Sequence, residues 1–144
     1  MSAQELVKLC TRKKRTIASC ESLTAGLFSA EIASVSGASK ALKGGIVTYF
    51  TEIKEKVVGV DTEVISKYGV VSKECADQMA QKTRELLESD YCVSFTGNAG
   101  PDTMEEKPAG LVYCSIASKK MSKILNYFWI TKAVMKYEKR RLRS

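Results

Sequence analysis

Ser22, in the run Thr16-Ile17-Ala18-Ser19-Cys20-Glu21-Ser22-Leu23-Thr24-Ala25-Gly26, is a hydroxyl placed where a short apolar segment gives way to a helical pattern, in a chain without histidine. A serine hydroxyl is a weak nucleophile at its free pKa and needs a neighbour to take its proton. Without imidazole, that neighbour is a carboxylate or a lysine kept neutral by burial or adjacent positive charge, and a serine–lysine pair is the first choice. The same absence excludes a Ser-His-Asp or Cys-His triad and the histidine-bearing zinc signatures of deaminases and metalloproteases. Any metal site would have to be built from thiolates or carboxylates alone, and none is expected.

Two further segments stand out, Tyr49 through Lys54 and Thr96-Gly97-Asn98-Ala99-Gly100-Pro101. Like Glu21-Ser22, each follows a β-rich run, and in open α/β sheets ligands collect at the carboxyl ends of strands. Ser22 at a helix start would also have unpaired amides nearby to hold the oxyanion formed when a carbonyl is attacked. Taken singly these residues have plainer readings: Ser22 as a helix cap, Lys54 as a solvated helix lysine, Tyr49 as a strand residue with a wet hydroxyl, the glycine segment as a turn.

The elements that would position them follow from periodicity and punctuation. Ser2 with Glu5 predicts a cap for an amphipathic helix through Lys14, and Thr16 to Cys20 reads as a strand. Ser22 to Val35 has helical spacing in Leu23, Leu27, Phe28 and Ile32. Gly44-Gly45 introduces a predicted strand Ile46 to Phe50, and a helix opened by Thr51-Glu52 is stopped by Gly59. Asp61 to Tyr68 is a short helix closed by Gly69, and Ser72 caps a long one through Leu87. Tyr91 to Thr96 is a strand. Leu111 to Ala117 and Ile124 to Ile130 read as a strand pair joined by a Ser118 to Lys123 turn, an antiparallel edge on an otherwise helix-alternating sheet. The expected class is α/β, a three-layer αβα sandwich with a mixed sheet, and residues 1–144 form one domain with no repeat or linker.

With 144 residues, roughly two thirds of the unfolded chain's surface can be buried without disulfides or metals. Five cysteines in odd number, with no CxxC, point to free thiols in a reducing compartment, hence the cytosol. No apolar run is long enough to span a membrane, and the amino terminus lacks a signal peptide's apolar core. The net charge of +7 is concentrated at the end: residues 132–144 carry +5, which leaves +2 for the rest. A terminal charge run of this kind, with Tyr137 its only aromatic, reads as a solvated tail and not as a nucleic-acid surface.

Several ordered blocks together resemble the carboxy-terminal domain of the competence/damage-inducible CinA proteins, the nicotinamide mononucleotide deamidases, across roughly residues 4–130. The family's Glu-Ser-Cys-Thr-Gly-Gly appears as Glu21-Ser22-Leu23-Thr24-Ala25-Gly26. Its Gly-Gly-hydrophobic-hydrophobic-x-Tyr and following lysine appear as Gly44 to Tyr49 and Lys54. Gly69-Val70-Val71-Ser72, Thr96 to Asp102 and Lys107-Pro108-Ala109-Gly110 complete the match. The resemblance implies that Ser22 attacks the carboxamide carbon of nicotinamide mononucleotide, with Lys54 as proton acceptor and Tyr49 assisting. It implies substrate contacts from Thr96, Gly97, Gly37 and Glu21, and no cofactor. A small nucleotide is then the expected partner, with no membrane or nucleic-acid role.

The chain departs from the family pattern at Leu23, Ala25 and Thr103-Met104. At the carboxy terminus, where the family has Gly-Asp-Arg, it reads Trp129-Ile130-Thr131-Lys132, so the arginine's place near substrate falls to Lys132, which keeps the charge and loses the bidentate fork. A second hypothesis is therefore a nucleotide-binding or protein-interaction module that has lost turnover. The assembly is left open, with a homodimer or homotrimer among the alternatives.

Overall fold

The computed structural model describes residues 2–98, 105, 107, 110–119 and 122–123. Ser2 caps α1 (Ala3–Lys13) by accepting from the Glu5 amide, and β1 (Ile17–Glu21) follows. Next come α2 (Leu27–Ala33), a 3-10 turn at Ala38–Lys40, and β2 (Leu42–Val47). A short helix α3 (Thr51–Ile53) runs into a π turn at Lys54–Val58, followed by α4 (Thr62–Tyr68) and α5 (Lys73–Leu87). The chain then enters β3 (Tyr91–Gly97), β4 (Val112–Ser118) and β5 (Ser122–Lys123).

The sheet order is β2-β1-β3-β4-β5, with β1 parallel to both neighbours and the last two strands antiparallel. Alternation along β1 divides the core. Ala18 and Cys20 face α5 and the 58–71 segment, packing with Met79, Cys75 and Val71. Ile17 joins Val93, Phe95 and Cys114 under α1 and α2, where Leu6 and Phe28 close over them. These are the three layers of the expected αβα sandwich.

The amino ends of β1 and β3 are tied by Asp90, whose carboxylate accepts from the Thr16 amide at 2.8 Å and from its hydroxyl at 3.2 Å. Thr16 Oγ1 in return accepts from the Asp90 amide.

Three boundaries differ from expectation, one of them β5, which begins at Ser122 inside the turn expected over Ser118 to Lys123. The helix predicted from Ser22 begins only at Leu27, because the Ser22 amide stays on the sheet, bonded to the Phe95 carbonyl at 3.0 Å. Left-handed backbone at Ala25 (φ 49°) and Gly26 (φ 99°) then turns the chain into α2. The second strand includes Gly44 and Gly45 and ends before Thr48. Gly45 pairs with Ser19 of β1, and a Cβ there would lie 2.6 Å from Ser29 Oγ and 2.7 Å from Ser19 Oγ. The predicted strand Ile124–Ile130, the 132–144 tail and Thr103-Met104 lie outside the described residues.

Candidate active site

Ser22 and Lys54, thirty-two positions apart, meet at the carboxyl end of β1: Lys54 Nζ lies 3.0 Å from Ser22 Oγ. The amine reaches there because β2 ends at Val47 and the chain folds over its own end into α3 and the π turn. Its other two contacts are main-chain oxygens, the Thr48 carbonyl at 2.6 Å and the Tyr49 carbonyl at 3.5 Å. A neutral amine has two N–H bonds and one lone pair. Were both hydrogens given to the two carbonyls, the lone pair would be left to accept from the serine hydroxyl.

Lys54 is only 1% exposed, and no carboxylate of the described residues forms an ion pair with it. Burial pushes its pKa below the ordinary lysine value and outweighs the opposing influence of Cys75, Cys20 and Glu105. A lowered pKa is the direction a lysine base needs.

Thr48 is a participant that side-chain reasoning missed. It is fully buried, its amide donates to the Glu21 carbonyl at 2.8 Å, and its hydroxyl lies 3.7 Å from Cys20 Sγ. Because its contribution is a carbonyl oxygen, residue type carries no signal for it.

The other expected site residues have different positions. The Tyr49 side chain is 64% exposed, so the residue meets Lys54 through its carbonyl and not its phenol. Glu21 is buried and committed: its carboxylate accepts from the Phe28 amide at 2.8 Å, the Ser29 amide at 3.2 Å and Ser19 Oγ at 2.9 Å. It caps α2 from the neighbouring strand, which removes both a free carboxylate and the helix-start amides expected to hold an oxyanion.

Thr96 Oγ1 donates to the Val70 carbonyl at 2.6 Å, so its hydroxyl braces the α4–α5 junction. Gly97 is required by β4, since a Cβ there would lie 2.7 Å from Val112 Cα. Gly37 precedes the 3-10 turn that leads into β2, and the Ala41 carbonyl accepts from the Ile17 amide. That places Gly37 at the amino ends of the strands, a strand length (about 16 Å) from Ser22 within one chain. Lys132 lies outside the described residues.

The blocks Gly69-Val70-Val71-Ser72 and Lys107 belong to one clasp. Glu105 accepts from the amides of Val70 (2.7 Å) and Val71 (3.2 Å), while Lys107 Nζ donates to the Tyr68 and Val71 carbonyls and to Glu105. Burial acts to raise the Glu105 carboxyl, but the two amides and Lys107 hold it below its usual value. Among the described residues, no group of three His, Cys, Asp or Glu side chains is placed to hold a metal ion.

The fold defines a three-layer α/β domain in which a serine hydroxyl and a buried lysine amine meet at the carboxyl end of β1. This chain belongs to the CinA C-terminal domain family, whose sequence pattern matches residues 1–136. It is 46% identical over 115 residues to a protein of Geobacillus sp. (strain WCH70) named as competence-damage inducible, covering 80% of this chain and 28% of that protein. A Listeria welshimeri protein of the same name is 47% identical over 116 residues, covering 81% and 28%. The chain thus spans little more than a quarter of these relatives. Among solved structures, the competence/damage inducible protein CihA from Agrobacterium tumefaciens superposes with a TM-score of 0.82 at 26% identity, covering 98% of this chain and 92% of that one. A CinA superfamily protein from Escherichia coli shares the fold, with TM-score 0.82 at 23% identity and coverage of 92% and 79%.

Proposed function

We propose that this domain is an amidohydrolase that converts nicotinamide mononucleotide to nicotinate mononucleotide and ammonia, in pyridine-nucleotide salvage in the cytosol. The observation that carries the reading is the 3.0 Å contact between Ser22 Oγ and a buried Lys54 Nζ held by two carbonyls. Ser22 Oγ attacks the carboxamide carbon as its proton passes to Lys54. Lys54 returns that proton to the departing nitrogen as the C–N bond breaks, and ammonia leaves. Water then attacks the acyl-serine ester, Lys54 accepts the water's proton, and the proton goes back to Ser22 as the acid is released.

The half-buried Leu23 amide, which has no acceptor among the described residues, is a donor available to the oxyanion in the turn that begins at the nucleophile. The five buried free thiols suit a reducing compartment.

Incubation with nicotinamide mononucleotide and measurement of ammonia tests the reading. Wild type should release ammonia, Ser22→Ala should release none, and Lys54→Ala should lose roughly 10²- to 10⁴-fold in kcat. Turnover undiminished in Ser22→Ala would remove the serine from the mechanism. The run Trp129-Ile130-Thr131-Lys132, which lacks the family's arginine, favours the second reading of a binding module without turnover; calorimetric binding with zero ammonia would establish it.

A further inference from the structure

The carbonyls of Thr48 and Tyr49 both turn inward to the Lys54 amine, and the Phe50 carbonyl accepts from the Ile53 amide at 3.0 Å and the Lys54 amide at 3.3 Å. Segment 48–50 therefore uses its main chain to hold the lysine, which leaves the side chains of Tyr49 and Phe50 directed to the outside. Phe50 is 71% exposed and Tyr49 64%, with Val47 on the preceding strand end at 48%. Phe50 is the most exposed of the large apolar side chains among the described residues, and as the residue before α3 its backbone is fixed one helical turn from Lys54.

Adjacent exposed aromatics beside a buried polar centre are out of place on a surface that serves solvation alone. They suit a flat π-bonded ring whose reactive substituent reaches past them to Ser22.

We infer that Phe50 is a specificity-determining residue, a stacking face that selects substrates in which the attacked carbonyl is borne on an aromatic ring. The inference rests on the amidase reading for the location of the site. Stacking acts on ground state and transition state alike, so Phe50 contributes to binding and leaves the chemical step untouched. Among the described residues the phenyl ring joins none of the core clusters, so its replacement should leave the fold intact.

The test measures nicotinamide mononucleotide binding by calorimetry in a Ser22→Ala background, which reports affinity whether or not the wild type turns over. Phe50→Ser should weaken Kd about tenfold and Phe50→Trp should preserve it. In the Ser22-containing protein, KM for the nucleotide should rise with Phe50→Ser at unchanged kcat, while kcat/KM for an aliphatic primary amide stays the same. Nucleotide binding that depends on Phe50 without ammonia release would sink the amidase reading and keep Phe50 as a stacking face for the nucleotide's ring. Turnover with Kd and KM indifferent to Phe50, or nucleotide binding by neither protein, would overturn it. So would a Phe50→Ser change confined to sedimentation behaviour, which would assign the ring to a contact between copies of the chain.

Discussion

Lys54 carries a sign-definite pH dependence. Burial lowers its folded-state pKa below the unfolded reference of ~10.4, so the amine is uncharged over a window in which an exposed lysine is protonated. The kcat/KM profile should rise with pH through the folded-state ionisation, with its acidic inflection below the ordinary lysine value, and activity should fall as pH drops beneath it. In that same window the unfolded chain binds the additional proton, so this group makes stability increase with pH until the unfolded pKa is reached. Ala25 invites a different measurement. Its φ of 49° is left-handed and the residue is exposed, so its methyl group adds strain without packing. Ala25→Gly should raise stability by about 0.5–1 kcal/mol, the relieved strain exceeding the entropy lost to a freer unfolded chain, read as a higher urea midpoint at constant m.

At the scale of elements, interactions between neighbours in sequence were legible and those between neighbours in space were not. Ser2, Asp61 and Ser72 cap their helices by bonding amides two or three residues onward, a relation that local sequence displays. The start of α2 escaped because its cap is Glu21, seven residues before Phe28 and on a strand. Gly44-Gly45 reads as punctuation, yet both residues pair with β1 inside β2, and a side chain at Gly45 would crowd the Ser19 and Ser29 hydroxyls. Ser22 and Lys54 came from the chemistry left by the missing histidine together with the family resemblance. Tyr49 assists Lys54 through its carbonyl while its hydroxyl stays wet, and Gly37 is at the amino ends of the strands; chain order does not tell which end of a strand a turn occupies. The Glu105 clasp predicts that Glu105→Gln removes a charge-assisted bond to the Val70 and Val71 amides and lowers stability by about 1–2 kcal/mol at neutral pH. Because the folded carboxyl is held below its unfolded pKa, that difference should shrink as pH falls through the folded value, measurable by thermal melts across acidic pH.

At the scale of the whole molecule, the five thiols report the integrity of the core. All are buried, and burial pushes each upward, Cys75 and Cys114 to about 12. The thiolate is the reactive form, so an aromatic disulfide reagent at pH 8 should label none of the five rapidly in the native protein and all five after denaturation. A fast-reacting native thiol would show that the core opens locally. The pairing of β1 with β3, tied at Thr16 and Asp90, joins residues 74 positions apart, and it has a bearing on biosynthesis. At elongation rates of about 5–20 residues per second, the ribosome needs roughly 4–15 s to add that much chain. Until Tyr91–Gly97 clears the exit tunnel, nascent β1 has β2 alone beside it and an unzipped flank open to stray β-segments, so chaperone capture should be concentrated on translation intermediates in which Tyr91–Gly97 has not yet emerged.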